Sequence, residues 1–272
     1  MPGGTLVIPL IEGARFEVRD GIADLVLTRP DRLNSLTFEL YAWLRDLFAA
    51  LEREDSVKVV IVTGEGRGFC SGGDVHQIIG QLVSLGAKDM TDFARMTGDV
   101  VKNMRRLRKP IIAAINGTAA GAGAVIALAS DIRVASRASK IAFLFTKVGL
   151  TGADMGAAYL LPRVVGLGRA TELLMTGRVV LPDEAERIGL VSEVVEPEML
   201  DARARALAEE LSRGPSFSLG MTKELLNNAL SLDLFSAIDA EARAQTICML
   251  ADDFKEFHAS FVEKRTPKFR GR

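Results

Sequence analysis

The chain has 272 residues, with 34 Lys plus Arg against 35 Asp plus Glu, a formal net charge of −1. That balance lacks the basic surplus of a general nucleic-acid binder. Two Cys and two His exclude a disulfide scaffold and a His/Cys metal cluster, and any Ser-His-Asp triad would have to use His76 or His258.

Apolar residues make up 48% and charged residues 25%, a soluble globular mix in a chain long enough to bury a sizeable core. Residues 1–12 have no basic stretch leading into an apolar one, so no signal peptide is read there. No run reaches the roughly 18 apolar residues of a membrane span. A soluble, reduced, cytoplasmic protein without a membrane partner is expected.

The first predicted element is a hairpin, with strands over 16–19 and 22–27 about the Asp20-Gly21 turn dipeptide. Leu40, Tyr41, Leu44, Leu47, Phe48 and Leu51 then form one helical stripe. The apolar, β-branched run at 57–62 reads as a strand covered on both faces. A glycine-rich loop over 64–73 leads to a helix from about Val75. Residues 84–90 read as a mobile connection, and 93–107 as another helix. The order repeats with a buried strand at 111–115, a small-residue turn at 116–124, a buried helix to Ala129 and a short strand at 131–135. The last third reads as helices over 199–211, 217–230 and one long stretch over 234–262. Alternating strands, glycine turns and helices predict an α/β fold with crossover connections.

Two of the glycine turns carry candidate chemistry. GFCSGGD at 68–74 and NGTAAGAGA at 116–124 each join a strand to a helix. Small residues there let a ligand approach the backbone and leave helix N-terminal N–H groups free. Side by side, the turns could aim two donors at one oxygen as an oxyanion hole. Tight helix–strand packing explains the same glycines. Neither turn has P-loop spacing, and the first lacks the dinucleotide pattern GxGxxG.

These turns belong to a longer series: RPDRLN at 29–34, AING at 114–117, SDIR at 130–133, LPRVVG at 161–166 and FVEKR at 261–265. In order and spacing the sequence resembles the crotonase superfamily, the enoyl-CoA hydratase/isomerase group. The resemblance implies a spiral of repeated ββα units with a helical C-terminal trimerisation region. The core would span 1–200. Residues 201–272 would pack on it and on neighbouring subunits of a trimer or a dimer of trimers. It also implies an acyl-CoA thioester substrate, CoA being part of the substrate, with no permanently bound cofactor and no metal. The amides of Gly73 and Ala122 would hold the thioester oxygen. Arg32, Leu33 and Ser71, with Lys264 and Lys268 of the basic tail, would contact CoA. A surface ion pair at Arg32 and a solvated basic tail are the plain alternatives. His76, Val125, Phe145 and Leu150 would line the acyl pocket.

The chain departs from the family's hydratases at two positions. Where those carry the two glutamates that hold a water, this sequence has Val125 and Phe145, neither able to move a proton. Counted back from Leu161, Asp154 matches an aspartate of some dienoyl-CoA isomerases and aryl-CoA dehalogenases. It is the candidate acid/base, or alternatively a nucleophile, or only a helix N-cap. A non-catalytic CoA-thioester binder is the remaining alternative. If Asp154 transfers protons, apolar neighbours such as Val125, Phe145, Leu150 and Met155 are expected to raise its pKa. Asp131 and Cys70 read as structural.

Overall fold

The computed structural model describes residues 11–272, so residues 1–10, and most of the stretch read for a signal peptide, lie outside it. The strands are β1 (Ala14–Arg19), β2 (Ile22–Leu27), β3 (Val59–Gly64), β4 (Gly68–Cys70), β5 (Ile111–Ile115), β6 (Thr118–Ala120), β7 (Ile132–Ser136), β8 (Lys140–Ala142), β9 (Val179–Val180) and β10 (Glu193–Val195). Among them stand the helices α1 (Phe38–Leu51), α2 (Gly80–Leu82), α3 (Ala87–Arg106), α4 (Ala122–Ala129), α5 (Ala157–Val165), α6 (Leu167–Thr176) and α7 (Pro182–Arg187). After β10 come α8 (Leu200–Arg213), α9 (Ser216–Ala229), α10 (Leu234–Leu250) and α11 (Asp252–Val262).

From β3 to β8 the strands alternate between two sheets. One has the order β1-β2-β3-β5-β7-β10 and the other β4-β6-β8-β9. Each of the pairs β3–β4, β5–β6 and β7–β8 gives one strand to each sheet before the chain turns helical, which is the repeated ββα unit. β3, β5 and β7 run parallel, as do β4, β6 and β8. The apolar run in β3 is covered on both faces. Val60 and Val62 face the main core with Leu25, Ile111 and Ala113, while Val59 and Ile61 face Leu200, Ala204 and Ala208 of α8. That double covering is why the sequence there shows no polar alternation.

Several expected elements are corrected. The first glycine loop contains β4, and the second contains β6, with α4 starting only at Ala122. Three-residue strands carry too short a pattern to be read. The helix expected from Val75 is one π-helical turn, Val75–Ile79, followed by α2. The stretch read as a connection is already helical from Ala87. The long C-terminal helix is two helices, because Ala251 is extended (ψ 154°) and separates α10 from α11. Among the described residues no helix is long and apolar enough to cross a membrane.

Helix α4 meets the second sheet through backbone. A Cβ added to Gly123, inside α4, would stand far closer to the Cys70 carbonyl oxygen at the end of β4 than van der Waals contact allows. Gly123→Ala should therefore destabilise the fold by about 3 kcal/mol through overpacking, against the gain an alanine usually brings to a helix. Urea unfolding with an unchanged m-value and a lowered midpoint is the expected reading.

Candidate active site

The candidate site forms where the turn after β4 meets the turn after β6. Gly72, at φ +95°, presses against the second turn. A Cβ there would stand 3.0 Å from the Ala120 carbonyl oxygen and 3.4 Å from the Ala122 nitrogen. Leu36 fixes the orientation of Gly73. The Leu36 N–H donates to the Gly72 carbonyl (2.8 Å), and the Asp74 N–H donates to the Leu36 carbonyl (2.9 Å). Alternation along an extended segment then turns the Gly73 N–H to the opposite side, away from Leu36. Ala122 is the first residue of α4, so its N–H has no partner within the helix. Among the described residues, neither the Gly73 nor the Ala122 N–H has an acceptor. The N-terminal end of α4 adds a favourable dipole for negative charge.

A buried polar network holds the first turn, and its role was not read from the sequence. The Asn34 side chain accepts from the Arg29 N–H (2.8 Å) and donates to the Gly68 carbonyl (2.6 Å). Arg29 donates to the Ser35 carbonyl (2.6 Å) and pairs with Asp74 at 3.2 Å. The Asp74 carboxylate also accepts from the Ser35 hydroxyl and from the N–H groups of His76 and Gln77. The RPDRLN motif thus acts as a clamp on the Gly73 turn. Arg32, Leu33 and Ser71 come together beside it. The Ser71 N–H donates to the Leu33 carbonyl (2.9 Å) and its hydroxyl to the Arg32 carbonyl (3.3 Å), with the Arg32 side chain exposed.

The remaining candidates divide. Val125 is fully buried one turn into α4, and the Phe145 ring lies 3.9 Å from where a Gly121 Cβ would stand. Both therefore line the second turn. His76 is exposed on the π-helical turn, and Leu150 is turned outward and exposed. Lys264 and Lys268 are exposed. The Lys268 N–H donates to Glu256, and the N–H groups of Arg270 and Gly271 donate to Asp253, which ties the tail to α11. Tyr159 lines a separate cavity of about 750 Å³ between α3, the start of α5 and α9, together with Met155, Gly156 and Lys223.

Asp154 sits in the turn before α5. It does not cap that helix, whose N-cap is Gly156 without a side-chain bond. One carboxylate oxygen accepts from the Met155 N–H at 2.8 Å, and the other has no partner among the described residues. Met155 takes a left-handed conformation (φ 49°), a strained choice for a non-glycine residue. Burial raises the Asp154 pKa above the ordinary carboxylate value, and the Met155 N–H offsets part of that. Cys70 is wholly buried, which pushes its thiol up to about 12 and leaves it inert near neutral pH. Asp131 is structural. It pairs with Arg105 (3.2 Å) and with the buried Lys223 (2.7 Å), and accepts from the Ile111 N–H.

With this geometry in place, comparison with known proteins is decisive at family level. Residues 17–272 match the family model described as enoyl-CoA hydratase/isomerase. The chain belongs to that family. It is 37% identical to the 1,2-epoxyphenylacetyl-CoA isomerase of Escherichia coli (strain K12) over 97% of this chain and all of that one. It is 32% identical to the crotonyl-CoA hydratase of Syntrophomonas wolfei over 95% of this chain and 98% of the relative. A crystal structure from Streptomyces coelicolor A3(2), of a protein to which enoyl-CoA hydratase activity is ascribed, superposes with a TM-score of 0.96. It has 53% identity and covers 99% of this chain and 98% of that one. The crotonase-like α/β fold implied by the motifs is the fold observed, and the protein is an acyl-CoA enzyme of the enoyl-CoA hydratase/isomerase type.

The clamp has a pH signature. Burial alone would raise the Asp74 pKa, but the Gln77 and His76 N–H groups, the Ser35 hydroxyl and Arg29 together hold it below its ordinary value. A carboxyl depressed in the folded state contributes stability above its unfolded pKa, near 3.9, and loses it as pH falls towards the folded value. Wild-type stability should decline below about pH 4, and Asp74→Asn should be less stable near neutrality and flatter across that window. Denaturation midpoints measured between pH 3 and pH 7 check this.

Proposed function

We propose that this protein isomerises an acyl-CoA thioester by proton transfer, with Asp154 as the acid/base and the Gly73 and Ala122 amides as the oxyanion hole. The carboxylate of Asp154 takes a proton from a carbon of the acyl chain. The electron pair moves towards the thioester, whose oxygen becomes an enolate held by the two N–H groups. The same carboxyl then returns the proton to a different carbon, so atoms and charge balance without an added reactant. Arg32, Leu33 and Ser71 would hold the CoA portion, with Lys264 and Lys268 reaching it from a neighbouring subunit.

The observation that carries this reading is the state of Asp154. It is half-buried, has a free oxygen, caps no helix, and has a pKa raised towards the working range of a general base. Val125 and Phe145 leave no glutamate pair to hold an attacking water, which favours isomerisation over hydration. Their bulk, with the aromatic side chains of α1 and α3 nearby, suits a cyclic or aromatic acyl group. The 37% identity to an isomerase of an epoxide-bearing phenylacetyl thioester points the same way.

Asp154→Asn should lower kcat/KM by about a hundredfold to ten-thousandfold, the contribution of a positioned acid/base, with CoA-thioester binding retained. In the wild type, activity should rise with pH through an ionisation above the ordinary Asp value, and that limb should vanish in Asp154→Asn. Unchanged turnover in Asp154→Asn would remove Asp154 from the mechanism. A covalent acyl- or aryl-aspartyl species trapped by rapid quench would replace proton transfer with nucleophilic attack.

We also propose assembly as a trimer or a dimer of trimers, with residues 1–200 as the core and 201–272 packing between subunits. The support is apolar surface left bare on α10 and α11, where Leu234, Phe235, Leu250 and Phe261 are each about 70–80% exposed. Light scattering should give three or six times the chain mass, and a monomer would overturn the assembly.

A further inference from the structure

One polar group beside the candidate site is used neither by the oxyanion turns nor by Asp154. Tyr41, on α1, is 3% exposed. Its ring packs edge-on to Phe93 with centroids 5.7 Å apart, and Phe93 meets Phe38 at 4.9 Å. The hydroxyl oxygen stands 3.7 Å from the place a Gly73 Cβ would occupy. Among the described residues it has no hydrogen-bond partner, yet it is not sealed off as the unpartnered hydroxyls of Ser139 and Thr146 are. A buried phenol normally finds a partner. Burial, with Cys70 and Asp154 nearby, pushes the Tyr41 phenol well above its ordinary range, so it remains a neutral O–H donor.

We propose that the Tyr41 hydroxyl is the acyl-recognition donor of this site, and that its ligand is a neutral oxygen carried on the acyl group within a few bonds of the thioester carbon. The assignment rests on Gly73 forming part of the oxyanion hole, because that turn fixes where the thioester lies. A pure hydrocarbon acyl group would seal the hydroxyl in without a partner, whereas an oxygen there satisfies it. Leaving a buried donor unpaired costs more than a made bond gains, so the site discriminates against the analogue lacking the oxygen. The carboxylate of Asp154 disfavours a second anion nearby. The substrate class is therefore a hydroxy, epoxy or keto acyl thioester rather than a carboxylate-bearing one. The aromatic edges of Phe38 and Phe93 suit a ring bearing that oxygen.

The test uses the full chain, titrated calorimetrically with phenylacetyl-CoA and its ring 2-hydroxy and 2-methyl derivatives. The wild type should bind the 2-hydroxy ester about tenfold more tightly than either of the others, the scale of one hydrogen bond. Tyr41→Phe keeps the ring against Phe93, so its thermal midpoint should stay close to that of the wild type. It should lose the tenfold preference and bind phenylacetyl-CoA more tightly than the wild type does, because no donor is then left unpaired. The same preference in Tyr41→Phe would overturn the assignment. So would equal affinity of the wild type for the 2-hydroxy and 2-methyl esters, a result that does not depend on the variant folding. If the wild type bound none of the three esters, the oxyanion-hole reading itself would fall and the Tyr41 assignment with it.

Discussion

The contact of two backbone turns is the constraint on which the rest of the site depends. Gly72 lies against Ala120 and Ala122, while Gly123 lies against Cys70, so each turn is seated on the other with no side chain between them. Backbone donors held this way cannot rotate as hydroxyls or ammonium groups do. They are oriented before any ligand arrives, which is where oxyanion stabilisation gains most of its value. The two-sheet arrangement follows from the same need. By sending β4 and β6 to a second sheet, the chain brings turns about 50 residues apart in sequence to one point.

Holding such turns requires compensation elsewhere. Gly73 has no side chain with which to anchor itself, so anchoring falls to Leu36 and to the clamp of Arg29, Asn34, Ser35 and Asp74. Nearly every hydrogen bond in that clamp goes to backbone or to a charged partner, so few buried polar groups there are left dry. Asp131 does comparable work farther out, tying Arg105 of α3 and Lys223 of α9 to the start of β5. These buried charges serve the architecture. The candidate chemistry depends on a carboxylate with much less support, in a turn whose next residue is strained.

The difference between Asp74 and Asp154 is instructive. Both are acidic residues beside a turn or helix start, and local sequence permits a cap at each. Asp74 gathers donors from four neighbours and its carboxyl is stabilised as the anion. Asp154 has only the adjacent N–H, and burial wins. The sign of a pKa shift is set by the number of donors within reach of a carboxylate in three dimensions, which a sequence neighbourhood does not encode.

The sequence by itself determined the fold class and the location of the two turns. Buried strands such as β3, glycines where backbones must touch, and ordered motifs over most of the chain are local consequences of composition and spacing. It also established that Val125 and Phe145 replace proton-moving residues, since identity alone decides that. The split of the strands between two sheets became clear only in three dimensions, because three-residue strands are too short to carry periodicity. The break between α10 and α11 was equally hidden, since Ala251 is a residue that helices favour. Tertiary structure alone decided which oxygens and N–H groups end up unpaired and facing one another. Tyr41 shows why: at 3.6 residues per turn it reads as one more apolar-stripe position on α1, and only the approach of Gly73, Phe93 and Asp154 from distant parts of the chain sets its hydroxyl apart.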